Sequence, residues 1–214
     1  LIKITDKENV NTYDICDNVF SIVNWGWFQQ FLSTGNNLSS IYFTSQDTGW
    51  ITGSGGTIFR TFDGGQSWQE QQSGVGTKLN SIFFINNTNG WAVGDNGSLI
   101  LTSNSGLNWS FVNTNTIENL QSVYFVSNQL GWVAGTNGTI IKTTDGGFNW
   151  FPLDEPENSI YNSLFFITSN TGVVVDNDGF INRTTNGGSS WQFVGSNPYY
   201  PLYSVYFPDQ NYGY

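Results

Sequence analysis

One stretch, GWITGSGGTIFRTFDGGQSW at residues 49–68, returns at 90–109, 131–150 and 172–191. The period is 41 residues without drift, carried by Trp68, Trp109, Trp150 and Trp191. Trp27 stands one period before Trp68. A second marker keeps the same spacing: LSSIYF from Leu38, LNSIFF from Leu79, LQSVYF from Leu120, YNSLFF from Tyr161 and LYSVYF from Leu202. A fixed period in the forties with a recurring Trp demands a row of like units. Each unit must bury its apolar face against the next.

Each repeat offers four short strands. In the first, strand a covers residues 39–43, b 50–52, c 57–61 and d 68–72. The runs are β-branched and aromatic, and turn residues bound them. The b–c connections are Ser54-Gly55-Gly56, Asp95-Asn96-Gly97, Thr136-Asn137-Gly138 and Asn177-Asp178-Gly179. Such pairs favour type I′ turns, where both central residues take positive φ. Strand a carries an unbroken apolar triplet, Ile41-Tyr42-Phe43 in the first repeat, so both sheet faces need cover. Radially arranged blades supply it. The reading is an all-β chain, a β-propeller of four-stranded antiparallel blades with a 41-residue repeat. Its blades span 38–78, 79–119, 120–160 and 161–201, and 202–214 opens a fifth. Residues 1–37 complete the closing blade: 27–31 align with strand d, and 16–20 fall where strand c belongs. Pairing of residues 19–22 with the strand ending at Tyr214 closes five blades. The alternative is a piece of a longer array, for example one of seven blades.

Composition excludes several functions. The net charge is −10, with four lysines and two arginines, which repels phosphate backbones and excludes nucleic acid as a partner. No apolar run reaches 18 residues, so direct membrane insertion by a helix is not expected. Cys16 is the single cysteine, so no internal disulfide forms. There is no His, which removes Ser-His-Asp triads, His-based zinc sites and imidazole acid–base chemistry. No catalytic residue, cofactor or metal site is expected. The chain starts at Leu1 and holds no Met, as in a processed chain or a fragment. Low charge with many Asn, Ser, Thr and Trp suits an exported protein.

The c–d turn, Thr61-Phe62-Asp63-Gly64-Gly65-Gln66-Ser67-Trp68, matches the Asp-box or bacterial neuraminidase repeat, Ser/Thr-x-Asp-x-Gly-x-Thr/Ser-Trp. The Asp positions are Asp63, Asn104, Asp145 and Asn186. Asn keeps the acceptor oxygen and loses the charge. A turn staple tolerates that exchange, whereas a catalytic or metal-binding Asp does not. These residues are therefore read as structural, with Trp68, Trp109, Trp150 and Trp191 buried at equivalent places. Together with LxSIYF, the pattern GW…G..G[TS]…[KR]T.DGG..W resembles the photosystem II stability and assembly factor family and its bacterial relatives. The resemblance covers residues 27–214. It implies a non-enzymatic propeller that binds protein partners and is exported to a lumen, periplasm or cell surface. Photosynthetic members hold assembly intermediates of a membrane complex and are associated with an arginine-rich patch. In this chain the arginines are Arg60 and Arg183. Sialidases share Asp-boxes, but resemblance to them would require three arginines clamping a carboxylate.

Candidate partner-binding residues fall in two groups. Arg60, Lys142 and Arg183 hold one repeat position at the end of strand c, where Leu101 fills the fourth copy. They read either as a basic arc for an acidic partner or as side chains snorkelling near an Asp-box carboxylate. The d–a loops vary most, and they should open on the same side as the b–c hairpins. One is acidic, with Glu155 and Glu157, and another aromatic, with Tyr199 and Tyr200. The fourth repeat departs from the others at Val173, Asp176 and Phe180. Its Asp176-Asn177-Asp178-Gly179 has part of a calcium loop without the other spaced ligands, and reads as an atypical blade near the end of the array. The functional expectation is a protein partner or self-assembly. A glycan-binding or glycan-hydrolysing propeller is the alternative.

Overall fold

Gly, Asn, Asp and Ser close nearly every short apolar run of this chain, and the strands stop where they stand. The computed structural model describes residues 30, 32–154, 158–196, 200–210 and 212–214. The chain divides into two units, Leu1–Phe31 and Leu32–Tyr214, and the fold described here is that of the second. The strand expected at 16–20, that expected at 27–31 apart from residue 30, and residues 19–22 of the pairing expected with Tyr214 lie outside the described residues.

Among the described residues sixteen strands form four antiparallel sheets, each in chain order. The first holds β1 (Leu38–Phe43), β2 (Gly49–Gly53), β3 (Ile58–Thr61) and β4 (Gln69–Gln71). The second holds β5 (Leu79–Phe84), β6 (Gly90–Gly94), β7 (Leu99–Thr102) and β8 (Ser110–Phe111). The third holds β9 (Leu120–Phe125), β10 (Gly131–Gly135), β11 (Ile140–Thr143) and β12 (Phe151–Pro152). The fourth holds β13 (Tyr161–Phe166), β14 (Gly172–Asp176), β15 (Phe180–Thr184) and β16 (Gln192–Ser196). These are blades of a β-propeller. A fifth pair begins: Tyr206 and Tyr214 exchange backbone hydrogen bonds of 3.0 and 2.9 Å, in the register of Tyr42 and Trp50.

The second strand of every sheet is buried along its whole length. That is the result of cover on both faces, whereas the apolar triplet of strand a, expected to be covered likewise, is only half-buried at Tyr42, Tyr124 and Phe165 and exposed at Ile41 and Phe43. The core between the first two sheets joins Trp50 and Ile58 to Leu79, Ile82 and Phe84. The core between the last two joins Trp132 and Ile140 to Tyr161, Leu164 and Phe166.

The turns follow the expected chemistry in three sheets. Gly55 and Gly56, Asn96 and Gly97, and Asn137 and Gly138 all take positive φ. The fourth differs: Gly179 alone has positive φ there. Asp176 replaces the turn chemistry, its Oδ1 accepting from the Asp178 and Phe180 amides. In the first three sheets strand d is shorter than expected, and in all four it starts after the Trp, which closes the turn instead.

Candidate functional site

Up-and-down strands put a–b loops and c–d turns at one end of each sheet. The b–c hairpins and d–a loops lie at the other. At the first end the c–d turn is tied to the a–b loop of its own sheet. The amides of Gly64, Ser105, Gly146 and Gly187 donate to the carbonyls of Asp47, Thr88, Gln129 and Asn170. At the second end the Gly97 and Gly138 amides donate to the Glu118 and Ser159 carbonyls, so the variable loops do share the hairpin side.

Neighbouring sheets are joined at the first end by aromatic rings. Trp50, Trp91 and Trp132 stack face to face on Phe84, Phe125 and Phe166 of the next sheet, with centroids 3.7, 3.5 and 3.5 Å apart. The same Phe rings meet the Trp of their own c–d turn edge-on: Phe84 with Trp109, Phe125 with Trp150 and Phe166 with Trp191. A second row on the first strands runs Tyr42, Phe83, Tyr124, Phe165, Tyr206, with successive centroids 4.5 to 5.5 Å apart. Burial pushes the Tyr124 phenol up to about 12, and the Tyr42 and Tyr206 phenols add to this. Burial also raises Tyr42, with Tyr206 again adding.

The c–d turns are built alike whether Asp or Asn is present. Asp63 Oδ1 accepts from Thr61 Oγ1 at 2.7 Å and from the Ser67 amide at 2.9 Å. Asn104 Oδ1 accepts from Thr102 Oγ1 and the Asn108 amide, each at 3.0 Å. Asn186 Oδ1 accepts from Thr184 Oγ1 and the Ser190 amide, each at 2.9 Å. Asp145 repeats the pattern with Thr143 and Asn149. The Ser67 hydroxyl, then its amide and the Thr61 hydroxyl, hold the Asp63 carboxyl at about 2. Asn149 does most to lower Asp145. The turn tryptophans are not equally buried. Trp150 is 3% exposed, while Trp68, Trp109 and Trp191 are half-buried. Each of the three stands edge-on to the Phe of its own sheet, and among the described residues the Trp150 indole alone of the four donates within its turn, to the Gly147 carbonyl.

The three basic residues at the end of strand c share a register but not an environment. The Arg60 guanidinium lies 3.7 Å from the Phe62 ring centroid and 5.1 Å from that of Trp50. It is buried, and its Nε has no hydrogen-bond partner among the described residues. Burial lowers its affinity for the proton. Lys142 lies over Trp132 at 5.3 Å and donates to the Gly187 carbonyl in the next sheet's turn. Arg183 is exposed and pairs with Val173, where a Trp stands in the other sheets. The three cations thus share a register but not one environment, and among the described residues Arg60 and Lys142 rest on rings.

The second candidate group is split. Tyr200 is exposed, whereas Glu155, Glu157 and Tyr199 lie outside the described residues. Among the described residues no three His, Cys, Asp or Glu side chains gather as metal ligands. A groove of about 540 Å³ opens between the first two sheets, lined by Tyr42, Phe43, Thr44, Phe84 and Ile85 with the polar loop after it.

The sequence model of the photosynthesis system II assembly factor YCF48 matches residues 20–117 and 107–204. The chain belongs to this family. A comparison with curated protein sequences finds no match. YCF48 bound to D1 peptide is similar in structure, with a TM-score of 0.67 and 23% identity over 83% of this chain and 59% of that one. YCF48 from Cyanidioschyzon merolae gives a TM-score of 0.67 and 19% identity, over 85% and 63% of the two chains. An ancestral GH74 enzyme gives 0.63 and 18%, over 76% of this chain and 24% of the enzyme. At these identities the likeness is one of fold. The chain spans about three-fifths of the length of the YCF48 structures that it matches.

For this member of the YCF48 family, the residues that knit the sheets together are hidden in the sequence among ordinary hydrophobic positions. Trp50, Trp91 and Trp132 keep the same 41-residue spacing as the turn tryptophans. Their absence from the fourth copy makes them look less essential.

Proposed function

We propose that the chain is part of a non-catalytic, exported propeller that holds a protein partner through an extended peptide segment. Membership of the YCF48 family carries this reading, and a relative of the same fold is known bound to D1 peptide. Arg60 supports it from this chain's own residues. A cation clamped between Phe62 and Trp50, with its Nε unpartnered among the described residues, is held ready for an acidic group. Removing a charge from water without a counter-ion is costly. A carboxylate of the partner relieves that cost and gains a charge-assisted hydrogen bond. Arg183 adds an exposed cation on the same side of the sheets. Tyr200 is a further recognition candidate, exposed in the loop after the fourth sheet, and Tyr199, Glu155 and Glu157 are candidates on the sequence alone.

In this reading the Asp-box residues Asp63, Asn104, Asp145 and Asn186 are turn staples. The absence of His, and turn positions that accept Asp and Asn alike, support a role without catalysis. Export to a lumen, periplasm or cell surface fits the low charge. Among the described residues no helix is long and apolar enough to cross a membrane.

The test is fluorescence anisotropy with a panel of acidic and neutral peptides, alongside a hydrolysis screen on β-glucans. Binding of acidic peptides, weakened about tenfold or more by Arg60→Ala, is the expected result. Steady glycan turnover that survives in Arg60→Ala but is lost on changing one carboxylate outside the c–d turns would overturn the proposal in favour of a glycan-cleaving propeller.

A further inference from the structure

Thr52 Oγ1, Arg60 Nε and Gln71 Oε1 are buried, and among the described residues none of the three has a hydrogen-bond partner. All stand on one face of the first sheet. Arg60 lies across from Trp50, and Ile58 lies across from both Thr52 and Gln71. That face is the one on which Trp50 meets Phe84 of the second sheet. At the next two seams Val93 and Ala134 stand in place of Thr52, and Val112 and Leu153 in place of Gln71. Leu101 takes the place of Arg60 in the second sheet, and Lys142, in the third, donates to the Gly187 carbonyl. A buried polar group left unanswered is costly. The first seam carries that cost at three positions where the repeat offers apolar or bonded alternatives.

Arg60 and Gln71 flank one indole. The guanidinium lies 5.1 Å from the centroid of the Trp50 ring. Trp50 Nε1 and Gln71 Nε2 both donate to the Ser105 carbonyl, at 3.2 and 3.5 Å. The second bond is long and holds the Gln71 amide loosely. Gly106 makes room for the other end of that amide: a Cβ there would stand 2.1 Å from Gln71 Oε1. The seam thus sets a cation with an unused N–H beside an amide oxygen that accepts nothing among the described residues. Phe62 covers the cation. Its ring centroid is 3.7 Å from the guanidinium, and the ring is 52% exposed while Arg60 is 8% exposed. The same place in the other c–d turns is held by Ser103, Thr144 and Thr185. A ring at a turn tip has open solvent to turn into.

We propose that this seam takes one acidic residue of an extended peptide, its carboxylate on Arg60 and a peptide N–H on Gln71 Oε1, with Phe62 as the lid that swings out to admit it. The inference rests on the acidic-peptide reading above and adds the residue type, a second contact and the gate. An Asp or Glu residue brings an acceptor and a donor together, which is what Arg60 and Gln71 lack. With two rings against the guanidinium, a flat carboxylate meets it edge to edge. The oxygens of a tetrahedral phosphoryl group would press on those rings.

The experiment uses the 214-residue chain and fluorescent peptides that differ only in carrying Glu, Gln or phosphoserine at one central position. The Glu peptide should bind best. Gln71→Leu, matching Leu153, should weaken it at least about fivefold without lowering the melting temperature. Phe62→Ser, matching Ser103, should raise its association rate about threefold or more. A second readout needs no peptide. Phenylglyoxal modifies arginine, and the arginines of this chain are Arg60 and Arg183. Mass spectrometry should find Arg183 modified first in the unaltered chain, with Arg60 catching up in Phe62→Ser. If no acidic peptide binds the unaltered chain, the acidic-peptide reading fails and this inference with it. If the Glu peptide binds but Gln71→Leu leaves its affinity unchanged, or phosphoserine is preferred, or Arg60 stays equally slow in Phe62→Ser, this inference alone is overturned.

Discussion

The indole N–H of Trp50 donates to the carbonyl of Ser105, 3.2 Å away and 55 residues later in the chain. Trp91 repeats this with Gly146 at 2.9 Å, and Trp132 with Gly187 at 3.1 Å. Each bond leaves the middle of one sheet and ends in the c–d turn of the next. Ring stacking and this bond act together, and they separate by mutation. Trp132→Phe keeps an apolar ring and loses the donor, leaving a buried carbonyl short of one partner; a cost of about 1–3 kcal/mol is expected. Trp132→Ala also opens a cavity, and about 3–5 kcal/mol is expected. Urea denaturation gives both values. Equal costs would show that the ring contributes nothing beyond its N–H.

In the c–d turn the load rests on Thr61 as well as on Asp63. Thr61 Oγ1 accepts the buried Gly65 amide at 2.8 Å while donating to Asp63. Thr61→Val should cost about 1–3 kcal/mol by stranding that amide. Asp63→Asn should leave the melting temperature almost unchanged, since Asn104 and Asn186 hold equivalent turns. Asp63→Ala should lower it. A thermal melt in which Asn harms as much as Ala contradicts the staple reading.

Acid sensitivity follows from the same turn. The Asp63 carboxyl sits at about 2 in the folded chain, against an ordinary 3.8. A depressed carboxyl stabilises the fold fully above the ordinary value, and this is lost as pH falls through the folded value. The contribution therefore disappears between about pH 4 and pH 2, and Asp145 acts in the same direction. In a pH series of melts, Asp63→Asn should show a shallower decline over this window than the unaltered chain.

Gly94 and Gly76 should respond in opposite ways to Ala. A Cβ on Gly94 would stand 1.9 Å from the Lys78 carbonyl oxygen and 2.9 Å from the Leu79 Cα, both backbone. Gly94→Ala should cost at least about 1–3 kcal/mol, since neither neighbour can move freely. A Cβ on Gly76 would meet nothing within 4 Å, so Gly76→Ala should be neutral or stabilise by up to about 1 kcal/mol. Chemical denaturation of the two variants checks the contrast.

The period made the sheets legible, because spacing fixes which residues must be equivalent. Strand order and the hairpin turns of three sheets followed from Asn-Gly and Gly-Gly pairs alone. Rank among the tryptophans did not. Trp68 and Trp50 recur with the same interval, and only three-dimensional packing shows that Trp50 is fully enclosed while Trp68 is half open. The basic position was legible as a register and not as a site. What separates Arg60 from Arg183 is the partner across the strand, Trp50 in one case and Val173 in the other. That partner lies ten residues upstream in each case, and the pairing becomes meaningful only once the hairpin is known.

The indole bonds also have a direction in time. In each of them the donor is made 55 residues before its acceptor. During synthesis a newly finished sheet therefore holds an unanswered N–H and a bare ring until most of the next sheet has emerged. Growth from the N-terminal side satisfies each sheet in turn and always moves the unfinished surface forward to the newest one. The series ends in the fourth sheet, where Val173 stands at the position of Trp132 and no indole is left waiting for a later acceptor.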